Sequence, residues 1–139
     1  MDLSIVTTNA EGSDFSWLRS NHGAITGTLD VSKLTANTDY DANGVIPSGT
    51  AVSLNTTSGL YEPFDSSASD GHQVLAGFVL TAQQLTATFA GVSSTRVVFP
   101  LLVEGEVVVA NLPKTPTINV QTPTTGKFVY IGVDYVAGV

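Results

Sequence analysis

From Val45 onward the chain is written in short runs rich in β-branched residues, each closed by Gly, Pro, Asn or Asp before it reaches helical length. That punctuation constrains the fold more than anything else in the sequence, because half-buried strands need alternation over a few residues and a turn at each end. Thr50 to Leu54 alternates in this way, as does much of Gln73 to Thr81. Thr95–Val103 and Glu106–Leu112 are separated by Glu104-Gly105, which predicts a hairpin with Gly105 supplying the positive φ of its turn. Pro100 cannot donate to a ladder, so its strand is an edge there or is interrupted by a bulge. Lys127 to Val136 reads as a last strand with Val129, Ile131, Val133 and Tyr135 on one face and Phe128, Tyr130, Gly132 and Asp134 on the other. Only Leu80–Phe89 offers a short helix, weakened by Thr86 and Thr88. Pro113–Thr125 reads as a connector around a short strand at Ile118-Asn119-Val120. The expected fold is mainly β (β-rich α+β), a small β-barrel-like domain with one short helix.

Residues 1–40 follow a different pattern. They are polar and punctuated by Asn and Gly, with isolated apolar residues such as Leu3, Ile5, Val6, Phe15, Trp17, Leu18, Ile25 and Leu29 in place of periodic runs. Two readings are open: an extended arm whose anchors pack on a partner, or a terminal segment whose apolar residues lie back on the same domain. The single Trp falls here, and Trp is over-represented among interface hot spots, which favours the arm. The expected division is therefore 1–40 as arm and 41–139 as β-rich domain.

Composition narrows the function. With 139 residues and 42% hydrophobic content, the chain is long enough for one domain with a real core. It has no cysteine, which excludes disulfides, thiolate metal sites and a cysteine nucleophile. Its net charge is −7 with five scattered Lys and Arg, so direct nucleic-acid binding and attraction to anionic membranes are not expected. Charged residues are 12% of the chain, half of the usual quarter, as suits a surface partly covered by partners. The apolar run around Val97–Val103 is far shorter than the roughly 20 residues that span a bilayer. Met1 to Val6 carries neither a basic region nor a long apolar one, so a signal peptide is not expected and synthesis in a cytoplasm is.

Candidate chemistry is sparse. Asp39-Tyr40-Asp41-Ala42-Asn43-Gly44 matches the first half of a calcium loop, but the twelfth position is Thr50 where a bidentate acid belongs, and Pro47 stands at the ninth. A polar turn, with Asp and Asn side chains on nearby backbone and Gly44 at positive φ, is the better reading. Ser69-Asp70-Gly71-His72 has the letters of a hydrolase triad within one loop, whereas a triad converges from separate elements. His22 and His72 are the only histidines. Glu104 and Glu106 read as a solvated turn, and Asn55-Thr56-Thr57 as a chance glycosylation sequon. No catalytic, cofactor or metal residue is expected.

Several blocks, taken in order, resemble one family. Gly44-Val45-Ile46-Pro47-Ser48-Gly49-Thr50-Ala51-Val52, then Tyr61-Glu62-Pro63-Phe64-Asp65, Ala68-Ser69-Asp70-Gly71, Ala76-Gly77-Phe78-Val79-Leu80 and Leu101 to Val109 are similar to the lambda-type head decoration proteins of tailed bacteriophages. The resemblance implies a non-enzymatic virion protein, without cofactor, on the outer surface of the expanded capsid. Its implied partners are the major capsid protein and two further copies of itself, at three-fold and quasi-three-fold positions. It also implies an N-terminal arm that orders on the shell, for which the coat-contacting candidates here are Leu3, Ile5, Val6, Phe15, Trp17 and Leu18. Within the family-like block, Pro47, Gly49, Asp65, Asp70 and Gly71 read as loop-shaping residues: Pro47 fixes φ, Gly49 opens a tight turn, the two aspartates bond backbone and Gly71 takes a left-handed conformation. A rival from another class is a glycan- or receptor-binding β-domain that stacks Trp17 and Tyr rings on sugars. A hydrolase using Asp70 and His72 is the least favoured reading.

Overall fold

The computed structural model describes residues 14–35, 38–41, 44–84, 96–114, 116–119 and 121–131. Among the described residues eight strands run β1 Leu18–Asp30, β2 Val45–Ile46, β3 Ala51–Leu54, β4 Tyr61–Pro63, β5 Gly77–Val79, β6 Gln83–Gln84, β7 Arg96–Val108 and β8 Lys127–Ile131, with 3-10 turns at Val31–Lys33 and Val109–Asn111. The main sheet has the order β1-β4-β3-β5-β7-β8, and β1 also pairs with β7, so five strands close a small barrel and β8 lies outside it. β2 and β6 form a separate two-stranded ladder. The fold is mainly β, as the short punctuated runs require.

The longest contact in the molecule is the antiparallel pair β1–β7, in register from Leu18↔Val107 to Asp30↔Arg96 with irregularities between Leu18 and Ala24. β7 carries the strongest β-formers and is paired on both sides: β5 and then β8 on one, β1 on the other. It contributes to two apolar clusters. Phe99 and Leu101 join Leu29, Ile46, Val52 and Val79 inside the barrel. Leu102 and Val107 join Trp17, Ala51, Leu75, Phe78, Leu112, Ile118 and Tyr130 on the outer face, beneath the segment that follows β7. Adjacent residues of β3 and β5 feed opposite clusters, so Ala51-Val52-Ser53 and Gly77-Phe78-Val79 are buried on both faces, while Leu54 at the end of β3 is exposed.

Four local expectations change. Glu104-Gly105 is no hairpin turn: β7 runs through it without a break. Gly105 is needed there for close approach, since a Cβ would lie 2.4 Å from the Ser20 carbonyl oxygen of β1. Within the helix expected at Leu80–Phe89, residues 80–84 are a bend followed by β6; residues 85–89 lie outside the described residues. Gln83 and Gln84 take their backbone partners from Val45 and Ile46, and that pairing outweighs modest helix propensity. Residues 116–119 form no strand, although Ile118 is buried in the outer cluster. Finally, Trp17 and β1 are integral to the barrel, so residues 17–30 follow the second reading of the N-terminal segment.

Pro100 behaves as its chemistry demands. Its carbonyl accepts the Leu80 N–H at 2.9 Å, just past the end of β5. The N and C=O of a strand residue face the same side, so the missing donor points where the β5 ladder has already stopped. In the last strand, residues 127–131 alternate as expected, with Tyr130 buried and Val129 exposed; residues 132–136 lie outside the described residues.

Candidate functional site

One end of the barrel is open. The interior rows of β1 and β3 continue there into Ile25 and Leu54, which are 50% and 39% exposed, and a cavity of about 570 Å³ lies beside them. Its walls include Tyr61, Leu101 and Val103 from the strands, Asn55 from the β3–β4 turn, and Asp70 and His72 from the β4–β5 connection. Such barrel mouths, apolar within and polar at the rim, are common places for ligands.

The polar rim is ordered from its turns upward. Asn55 leads the β3–β4 turn: its Oδ1 accepts the N–H groups of Thr57 and Ser58, and its Nδ2 donates to Glu62 Oε2 at 2.8 Å. Glu62 is only 4% exposed, a buried carboxylate that needs donors on both oxygens. His72 supplies the second, with Nε2 against Glu62 Oε1, while its Nδ1 meets Asp70 Oδ1 at 2.7 Å. The hydrogen bond to His72 holds the Asp70 carboxyl below its usual range. Asp70, then Glu62, raise the histidine against the opposing effect of burial. Both ring nitrogens therefore face carboxylates, and the ring bridges two acids; among the described contacts no hydroxyl is bonded to it. That arrangement holds the loop against β4.

Asp65, Asp70 and Gly71 lie in this connection. Asp65 Oδ1 accepts Ser67 N at 2.9 Å and Ser67 Oγ at 2.7 Å, bonds that lower its carboxyl, and the Asp65 N–H donates to the His72 carbonyl. Asp70 Oδ1 also accepts the His72 N–H, and Gly71 takes φ +110°. Pro47 and Gly49 lie at a separate corner. The Pro47 carbonyl accepts both the N–H and the hydroxyl of Thr50, and Gly49 sits at φ +92° with its N–H on the Val79 carbonyl.

Against Gly49 stands Trp17, the residue whose role changes most. It is 1% exposed, tilted on Phe78 at 5.6 Å, and its Nε1 donates to Ser48 Oγ, which in turn donates to the Leu80 carbonyl. Trp17 is thus a core residue rather than a partner anchor, because its own domain buries the ring and satisfies the indole N–H. Leu18 is half-buried against the same cluster. Phe15 is 44% exposed and stays available to a partner; Leu3, Ile5 and Val6 lie outside the described residues.

Of the Asp39–Gly44 motif, Ala42 and Asn43 lie outside the described residues. Asp39 is buried, its Oδ2 accepts the Thr35 N–H at 2.7 Å and its Oδ1 pairs with Lys114 Nζ at 3.2 Å. The carboxylate that would open a calcium loop is already engaged. Asp41 accepts the Val45 N–H, and Gly44 has φ +76°. Among the described residues no three His, Asp or Glu side chains cluster as metal ligands, and no helix is long and apolar enough to cross a membrane.

Sequence reasoning gave Glu62 and Asn55 no role in a site. The signal available was an acid flanked by Tyr and Pro in a strand, where an unpaired charge is not tolerated. Its partner stands ten residues on and has no fixed offset. No family model, curated protein or solved structure matches the chain.

Proposed function

We propose that this chain is a structural virion protein that binds the outer surface of an expanded phage capsid as a trimer and clamps neighbouring coat subunits. The observation that carries the reading is the ordered resemblance of Gly44–Leu80 and Leu101–Val109 to lambda-type head decoration proteins. Those blocks contain β3, β4 and β5 and the second half of β7 from the barrel, together with β2 of the separate ladder. Low charge supports the same reading, as do large apolar side chains left exposed on the described surface: Phe15, Ile25, Leu54, Val98 and Val129. Contact with coat or with other copies removes such side chains from water, at about 25 cal/mol per Å² buried. Burial made only on the expanded shell stabilises that form by linkage, and three copies acting together strengthen individually weak contacts. The proposal includes Leu3, Ile5, Val6 and Phe15 as residues of a coat-binding arm. Trp17 and Leu18–Asp30 do not belong to it.

The glycan-binding alternative loses its main support, because Trp17 is inside the core and cannot stack on a sugar. The clamp is tested on heads assembled without this protein. They are expected to lose DNA on heating or osmotic shock at conditions that complete heads survive, and to regain resistance when the full chain is added back. A chain lacking residues 1–13 is expected to restore less. Equal resistance with and without the protein overturns the proposal.

A further inference from the structure

The β4–β5 connection, residues 64–76, forms part of the barrel-mouth wall, and the Glu62–His72–Asp70 bridge ties it to β4. The chemistry of that bridge depends on one proton. A neutral imidazole has one N–H and one lone pair, so between two carboxylates it satisfies one and turns a lone pair toward the other. An imidazolium donates to both. Glu62 and Asp70 are unequal partners: the Glu62 side chain is 5% exposed and that of Asp70 67%. A buried carboxylate that loses a donor is costly, whereas an exposed one is rehydrated.

We infer that this connection is a protonation-dependent latch on the barrel mouth, closed while His72 bridges Glu62 and Asp70 as imidazolium, and opened at Asp70 when the ring gives up its proton. The ring then keeps Nε2–H on Glu62. Asp70 and Gly71, which line the cavity, lose the side-chain tie that holds them against the His72 ring.

The groups that face His72 set the direction of the switch. Glu62 acts from β4, Asp70 and Asp65 act from its own loop, and Asn55 from the β3–β4 turn carries no charge. Ile25, Leu101 and Val103 of β1 and β7 are apolar, Tyr61 presents a phenol, and no Lys or Arg is among the described lining residues. The surroundings are net acidic and raise the histidine above its ordinary 6.5. A group raised in the folded state contributes stability that is fully present below its unfolded value and is lost as pH rises through the folded value. The latch therefore closes on the acid side and opens on the alkaline side. This inference does not depend on what the protein binds.

The test uses the full chain and follows, by NMR, the ring nitrogens of His72 and amide exchange at residues 70–74 between about pH 5.5 and about pH 9, corrected for intrinsic exchange. His22, the other histidine, is assigned through His22→Gln. The expected result is a several-fold loss of protection on the alkaline side, with a midpoint that coincides with the His72 ring titration and lies above the ordinary histidine range. In His72→Gln, whose amide does not titrate, protection at 70–74 is expected to be independent of pH. Protection unchanged by pH in the natural chain, a pH response that persists in His72→Gln, or ring titration at or below the ordinary range each overturns the latch. If His72→Gln does not fold, the coincidence of the two midpoints in the natural chain decides the matter.

Discussion

Gly49 and Gly71 ask the same thing of the backbone and live in opposite surroundings. Their φ values are +92° and +110°, a region that side-chain-bearing residues rarely adopt. At Gly49 an added Cβ would lie 2.9 Å from Trp17 Cδ1, Trp17 Nε1 and Pro113 Cδ, whereas at Gly71 nothing lies within 4 Å. One glycine belongs to a dry corner where the backbone presses on an indole. The other belongs to a wet loop held by Asp65, Asp70 and His72 through local hydrogen bonds. A positive φ alone therefore does not tell a packing glycine from a turn glycine; the neighbours do.

Breaking the dry corner is expected to cost most. Trp17→Ala removes a buried indole and leaves a cavity beside Phe78, with an expected loss of about 3–5 kcal/mol in urea unfolding. A loss under about 1 kcal/mol would return Trp17 to the surface role that the sequence suggested.

The glycines sharpen the contrast next. Gly49→Ala combines backbone strain with overpacking and is expected to cost about 3 kcal/mol. Gly71→Ala meets strain alone and is expected to cost about 1–2 kcal/mol. Thermal unfolding of the two variants side by side checks this. Equal losses would mean that the Trp17 corner yields as readily as the loop.

The smallest effect is expected at Tyr130, in the outer cluster near the same corner. Its hydroxyl is buried without a partner among the described residues, and burial pushes its pKa up to about 12. An acid raised in this way binds its proton more tightly folded than unfolded, so stability falls as pH rises above the unfolded value of about 10. Tyr130→Phe is expected to change stability by less than about 1 kcal/mol at neutral pH, and to flatten the decline above pH 10 in urea unfolding. A large loss at neutral pH would reveal a partner for the hydroxyl.

Strand character was legible from Val45 onward because alternation and punctuation act locally. The bonds of Asp41, Asp65 and Asp70 to nearby backbone have the same local origin, since Asx bonds reach two to four residues along the chain. The parts misread all depend on distant partners. Gln83-Gln84 is a strand because Val45-Ile46 lies beside it, Gly105 is a close approach because Ser20 crosses there, and Trp17 is core because Ser48, Gly49 and Phe78 surround it.

By itself the sequence determined the mainly β fold, the local Asx bonds of its loops, and a chain poor in charge, since each follows from residue type and near-neighbour spacing. Only the tertiary structure decided which glycine presses on a ring, that Leu18–Asp30 is a barrel strand with Trp17 in the core before it, and that Glu62, Asp70 and His72 form one bridge. Those outcomes depend on closing the ring between β1, β4 and β7. Closure brings together residues tens of positions apart, and burial then fixes the role of each.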